Sequence, residues 1–145
     1  MAANGQAEAN KALVQQFVEE FWNRGDLAAA DELMTREAVI HEPIMGTPKD
    51  LKVVATMIRS AFPDWHSSVE EMFVDGDRVV ERWTGRGTHR GEFQGIPPTG
   101  NRVAVPGVVF YRIADGKIAE FRGQFDRMSL MQQLGVIPNA NVPTP

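Results

Sequence analysis

The hydrophobic period of this chain changes from helical to extended near Pro63, and that change most narrows what the chain can fold into. Ahead of it, apolar residues recur at helical spacing. Val14, Phe17, Val18 and Phe21 stand at i, i+3, i+4 and i+7 on one face, with Gln15, Glu19 and Glu20 opposite, which predicts an amphipathic helix over residues 7–22. Asn23-Arg24-Gly25 stops it, the glycine taking the left-handed cap, and Asp26 is placed to cap a shorter helix running to about Met34. Residues 39–42 read as extended. Thr47-Pro48-Lys49-Asp50 reads as an N-cap, a proline at the first helical position and an acid three residues after the cap. It opens a third helix with Leu51, Val54, Ala55 and Ile58 on its buried face, ended by Pro63.

Beyond Pro63 the pattern is extended. Residues 65–74 and 78–84 are expected as strands joined across Asp75-Gly76-Asp77, and residues 102–113 and 117–125 as strands meeting at Ala114-Asp115-Gly116. A last short helix is expected over residues 126–134, closed by Gly135, with a loosely held tail from about residue 137. Three helices followed by about four strands in a meander make an α+β fold, with helices packed on one face of a curved antiparallel sheet.

A chain of 145 residues with 43% hydrophobic content has material for one core, so residues 1–145 are expected to form a single domain. The longest apolar runs fall far short of the roughly 20 residues that span a bilayer, and MAANGQAEANK has no signal-peptide stretch; a cytoplasmic protein without membrane contact is expected. Cysteine is absent, which removes disulfides and thiolate chemistry. A net charge of −4 with scattered Lys and Arg argues against nucleic acid as a partner. His41, His66 and His89 are far apart and lack the close helix spacing of a zinc site, so no metal is expected.

Several strings narrow the reading further. NKALVQQFVEEFWNRGDLAAADELM, AFPDW, RWTGRGTHRGEFQGIPPTG, RIADGKIAEFRGQFD and LMQQLG together span most of the sequence and resemble the SnoaL-like polyketide cyclases, the ester cyclase branch of the nuclear-transport-factor-two-like superfamily. The resemblance implies a conical barrel: a curved, mainly antiparallel sheet packed against about three helices and enclosing a deep apolar pocket, often in homodimers associated through their sheets. It also implies ring closure by an intramolecular aldol reaction on a small hydrophobic substrate, without metal or cofactor, with an aspartate matching Asp126 as acid and base. At Phe121-Arg122, where relatives often carry His-Trp, the chain departs from the pattern, and Arg122 puts a cation beside the expected pocket.

The residues leave several roles open. Asp126 is either the proton carrier, its pKa raised by apolar surroundings, or an ordinary N-cap whose amides lower it. If Asp126 faces the pocket, strand alternation brings Gln124, Arg122, Glu120 and Ile118 to the same face, unless a bulge intervenes. Arg122 then either holds an enolate or a carboxylate or is a surface arginine paired with Glu120 or a neighbour, and Arg112 or Tyr111 of the neighbouring strand can share the site, depending on register. Trp65 and Trp83 are expected as core or pocket wall. His41 either touches substrate or is hydrogen-bonded structurally, and His66 reads as solvent-facing. GTHRGEFQGIPPTG, residues 87–100, is a rigid connection expected at the pocket mouth, with Phe93 and Ile96 as apolar wall and His89 as a second proton carrier or a loop anchor. A cyclase, an isomerase or epoxide hydrolase on the same fold, and a non-catalytic small-molecule-binding domain all remain compatible with these residues.

Overall fold

The opening helix, α1 (Ala2–Phe17), passes without interruption into a π-helical turn (Val18–Asn23) in the computed structural model, which describes residues 2–41 and 49–138. The wider turn is closed by Arg24 N donating to Glu19 O (3.0 Å) and Asp26 N to Glu20 O (2.9 Å). Val14, Phe17, Val18 and Phe21 are buried, as their spacing requires. The end of the turn is pinned twice. Asn23 brackets Ser67 like a strand neighbour, accepting from its amide (2.7 Å) and donating to its carbonyl (3.0 Å), and Arg59 Nη1 donates to the carbonyls of Trp22 and Asn23.

Helix α2 (Ala28–Leu33) begins where Asp26 Oδ1 accepts from Ala28 N (3.1 Å), and Met34 already opens a strand, β1 (Met34–Ile40). Helix α3 (Leu51–Ala61) starts later than its sequence suggests. The expected cap and first turn, Thr47-Pro48, lie outside the described residues. The N-cap is Asp50, whose carboxylate accepts from Lys52 N (2.9 Å), so the acid expected inside the first turn is the cap itself. The tail beyond residue 138 also lies outside the described residues.

Strands β2 (His66–Asp75), β3 (Arg78–Thr88), β4 (Arg102–Ala114) and β5 (Lys117–Phe125) form the expected antiparallel meander, with β3 running four residues past its predicted end. The sheet has five strands, ordered β1-β5-β4-β3-β2, because β1 adds to β5 in parallel, Met34 opposite Ile118 and Ile40 opposite Phe121. The β4–β5 turn places Asp115 and Gly116 at φ +53° and +73°, the left-handed pair that tight hairpins need. Helix α4 (Arg127–Gln133) then folds back onto β4, beyond the end of β5. There Gln133 takes the place of a strand, accepting from Ala104 N (2.7 Å) and donating to Ala104 O (2.9 Å).

Two apolar clusters fill the concave side of the sheet. One joins Phe17, Phe21, Val79, Val109, Tyr111 and Phe121, and the other joins Val54, Phe62, Trp65, Phe93, Val105 and Leu130. Across the outer face runs the row Phe73, Val80, Phe110, Arg122, with Phe73 and Phe110 exposed.

The 87–100 connection is tied down at both ends. His89 N donates to Asn101 O and Gly100 N to His89 O, while Arg90 N and Gly91 N both donate to Ala61 O at the end of α3. A Cβ on Gly91 would run into the backbone carbonyl of Ser60, an atom that cannot swing aside. Gly91→Ala is therefore expected to cost roughly 1–3 kcal/mol as overpacking, read from the midpoint of urea unfolding; an unchanged midpoint would mean the loop lifts off α3 freely.

Candidate active site

The cavity lies between the two clusters, and the sheet register shows how it is built. Inward positions form cross-strand rows: Glu81, Val109 and Gly123 in one, Trp83, Gly107 and Phe125 in the next, Gly85 and Val105 beyond. Side chains and gaps alternate along them. The Trp65 ring lies where a Cβ on Gly85 would stand, and the Trp83 ring where one on Gly107 would stand. Large indoles thus occupy the space that side chains at these two glycines would fill. Helix α3 contributes Val54 and Ile58, α4 contributes Leu130, the 87–100 connection contributes Phe93, and the π-helical turn contributes Trp22. The empty space, mouth included, is about 720 Å³.

Of the described residues lining this space, Ser67 and Gln124 are polar and Glu81 alone is ionisable. Glu81 is 2% exposed, and Tyr111 Oη donates to its Oε1 (2.7 Å). Burial pushes the Glu81 carboxyl up to about 7, against the smaller opposite effect of the Tyr111 hydrogen bond, and burial with the Glu81 charge beside it drives the Tyr111 hydroxyl well above its usual range. The sequence reading missed Glu81. Its signal was an acid at an inward position, flanked at two-residue spacing by Val79 and Trp83.

The other expected residues divide between the two sides of the sheet. Trp65, Trp83 and Phe93 line the cavity; Gln124 borders it too, although it is exposed and out of phase with the inward residues of its strand. Ile96 packs behind Phe93, through a short bridge with it, rather than on the cavity surface. His89 is wholly buried against Phe62 (5.4 Å between rings); its Nδ1 accepts from Thr99 N (3.2 Å) and lies 3.0 Å from Thr99 Oγ1, the geometry of a loop anchor. His66 is exposed beside Ser68.

Alternation counted back from Asp126 gave the wrong face. The inward residues of β5 are Phe121, Gly123 and Phe125, so Arg122 is exposed on the outer side, opposite Phe110. A register shift between Arg112 and Ile113 then brings Ile118 to the buried side as well. Register likewise separates Tyr111, inward on Glu81, from Arg112, outward. Glu120 Oε1 accepts from Arg112 Nε (2.7 Å) and Oε2 pairs with His41 Nε2 (2.9 Å), so His41 and Arg112 lie together away from the cavity. The Arg112 hydrogen bond, and after it that of His41, holds the Glu120 carboxyl down to about 2. Asp126 is exposed, between Phe125 and α4, and its Oδ1 accepts from Ser129 N (2.9 Å) as the helix N-cap.

A family model described as SnoaL-like polyketide cyclase matches residues 12–134. The chain belongs to that family. Among curated relatives of this SnoaL-like protein, the aklanonic acid methyl ester cyclase DnrD of Streptomyces peucetius is 30% identical over 129 residues, 85% of this chain and 88% of the relative. Its counterpart DauD from Streptomyces sp. (strain C5) is 29% identical over 130 residues, 85% of this chain and 80% of the relative. Among solved structures, AclR from Streptomyces galilaeus, named as a candidate hydroxylase, superposes with a TM-score of 0.82 at 32% identity, covering 92% of this chain and 89% of its own. IdmH from Streptomyces antibioticus, named as a candidate polyketide cyclase, gives 0.76 at 33% identity, covering 88% and 99%. The α+β fold expected of a SnoaL-like chain, helices packed on a curved and mainly antiparallel sheet, is the fold observed. Among the described residues no helix is long and apolar enough to cross a membrane.

Proposed function

We propose that this chain closes a ring on a polyketide-derived polycarbonyl molecule by proton transfer to and from carboxyl groups, without a cofactor. The observation that carries the reading is the cavity itself: three tryptophans and a run of phenylalanines enclose a space in which a carboxyl group is the single ionisable group among the described lining residues. Such walls suit a flat, conjugated substrate, and exclusion of water strengthens any polar contact made inside.

The chemistry balances without an external reagent. A carboxylate takes a proton from carbon between two carbonyl groups, and the C–H electron pair becomes the enolate. The enolate carbon attacks a second carbonyl carbon of the same molecule, a C–C bond forms, and the former carbonyl oxygen receives a proton. The product is an isomer of the substrate. Asp126, at the strand-to-helix junction beside Phe125 and Leu130, is the base in this scheme, reaching a substrate that projects from the cavity toward α4.

The substrate named for the curated relatives, aklanonic acid methyl ester, is the compound to try first. Turnover is expected to give a product of unchanged mass and shifted chromatographic position. The exposed cap geometry of Asp126 favours one competing reading, a binding domain without catalysis. Quenching of tryptophan fluorescence by the ester, with no conversion after prolonged incubation, would establish that reading instead.

A further inference from the structure

We infer that Glu81 is a second catalytic residue, a carboxylic acid at the inner end of the cavity that gives its proton to the substrate oxygen on which charge develops, with Tyr111 as its positioning residue. This rests on the ring-closure reading and divides the work: a base at the strand-to-helix junction, an acid within.

The geometry fixes which oxygen acts. Tyr111 Oη donates to Oε1, so Oε1 is the acceptor and the acid proton belongs on Oε2, which has no hydrogen-bond partner among the described residues. No cation pairs with Glu81 among the described residues, and a buried carboxylate without one is costly, which favours the neutral acid. The Tyr111 ring is clamped by Phe17 (6.5 Å between centroids) and Phe121 (5.5 Å), both edge to face, so the hydroxyl is delivered from a rigid ring. Across the ladder Glu81 is flanked by Met72 of β2 on one side and by Val109 of β4 on the other. Among the described residues Tyr111 is the one titratable group that interacts with Glu81.

In the reaction, the attacked carbonyl oxygen takes the Oε2 proton as the C–C bond forms, leaving Glu81 as carboxylate and Asp126 protonated. Exchange with solvent after product release restores both. A carboxylic acid kept neutral by its surroundings is suited to this donation because the proton is present at neutral pH and the donor is already desolvated. Burial of Glu81, as quoted above, places its titration near that range.

The test uses Glu81→Gln, which preserves shape and the acceptor for Tyr111 but has no acid proton, and Tyr111→Phe. With aklanonic acid methyl ester, Glu81→Gln is expected to lower kcat by about 10²–10⁴-fold with little change in KM, and to abolish the wild-type loss of kcat above about pH 7. Tyr111→Phe removes a bond that lowers the Glu81 pKa, so that limb moves to higher pH, a shift no purely structural role produces. Binding of 1-tetralone, an unreactive aryl ketone, read by tryptophan fluorescence, separates this inference from the functional reading. Its affinity should fall in the wild type as pH rises through about 7 and stay flat in Glu81→Gln. If the ester is not converted but the ketone shows that dependence, the cyclase reading fails and the buried donor stands. If Glu81→Gln turns over within about threefold of wild type with the same pH profile, or if ketone binding is flat in both proteins, Glu81 is not the donor.

Discussion

Asp126→Asn is expected to reduce turnover of a confirmed substrate by about 10²–10⁴-fold while changing stability by no more than a few tenths of a kcal/mol. The two effects separate because the side chain has two duties. As N-cap it accepts a hydrogen bond from Ser129 N, and its backbone is fixed independently, with Asp126 N donating to Pro106 O and Leu130 N to Asp126 O. Asparagine keeps an acceptor oxygen in the same place and ranks with aspartate as a cap, so α4 keeps its start and Leu130 and Leu134 stay buried. An amide, however, is no base. Asp126→Ala removes both duties and adds a stability loss of about 1 kcal/mol, a melting shift of roughly 2–4 °C at this size. The pair of variants is read by kcat and by thermal melting side by side. An asparagine variant that retains activity within a few-fold would reduce Asp126 to a cap and leave Glu81 as the carboxyl group on which a mechanism must be rebuilt.

That the two carboxyl groups differ so much in legibility has a physical cause. Asp126 was readable because N-caps and family strings are local features of sequence. Glu81 was hidden because its significance depends on register: only when Glu81 lies opposite Val109, and Tyr111 opposite Val79, does a hydroxyl two positions along β4 reach its carboxylate. The hairpins were legible from Asp75-Gly76-Asp77 and Ala114-Asp115-Gly116, since those turns restrict the backbone locally. The parallel pairing of β1 with β5 was not, because no turn joins them and the partners are some eighty residues apart. Phase was the other loss. Counting alternation from Asp126 carried a residue outside the ladder into the strand, and the inward set came out one position off, exchanging Arg122 for Phe121 and Gly123. The indoles show the same limit: Trp65 and Trp83 read as wall, but the glycines beneath them mattered only once the strands were adjacent.

Wild-type stability is expected to decline as pH rises from about 4.5 to about 7, by on the order of 3 kcal/mol from Glu81, and Glu81→Gln is expected to remove that decline. In the unfolded chain the carboxyl titrates at its ordinary value of 4.5, and in the folded chain at about 7. Below 4.5 both states hold the proton and the group contributes nothing. Between the two values the folded state holds a proton that the unfolded state has lost, so raising the pH favours unfolding; above 7 both are ionised and the penalty is constant. Glu120 works with the opposite sign. Its folded value near 2 means that its contribution, present above 4.5, is lost as pH falls toward 2, so the two groups together favour a stability maximum on the acid side of neutrality. Urea melts of wild type and Glu81→Gln at intervals from pH 4 to pH 8 isolate the effect, because a constant offset from burying the amide drops out of the slope. A difference between the two proteins that does not vary with pH would mean that Glu81 ionises at its ordinary value in the fold, and the buried acid would then hold no proton at neutral pH to give.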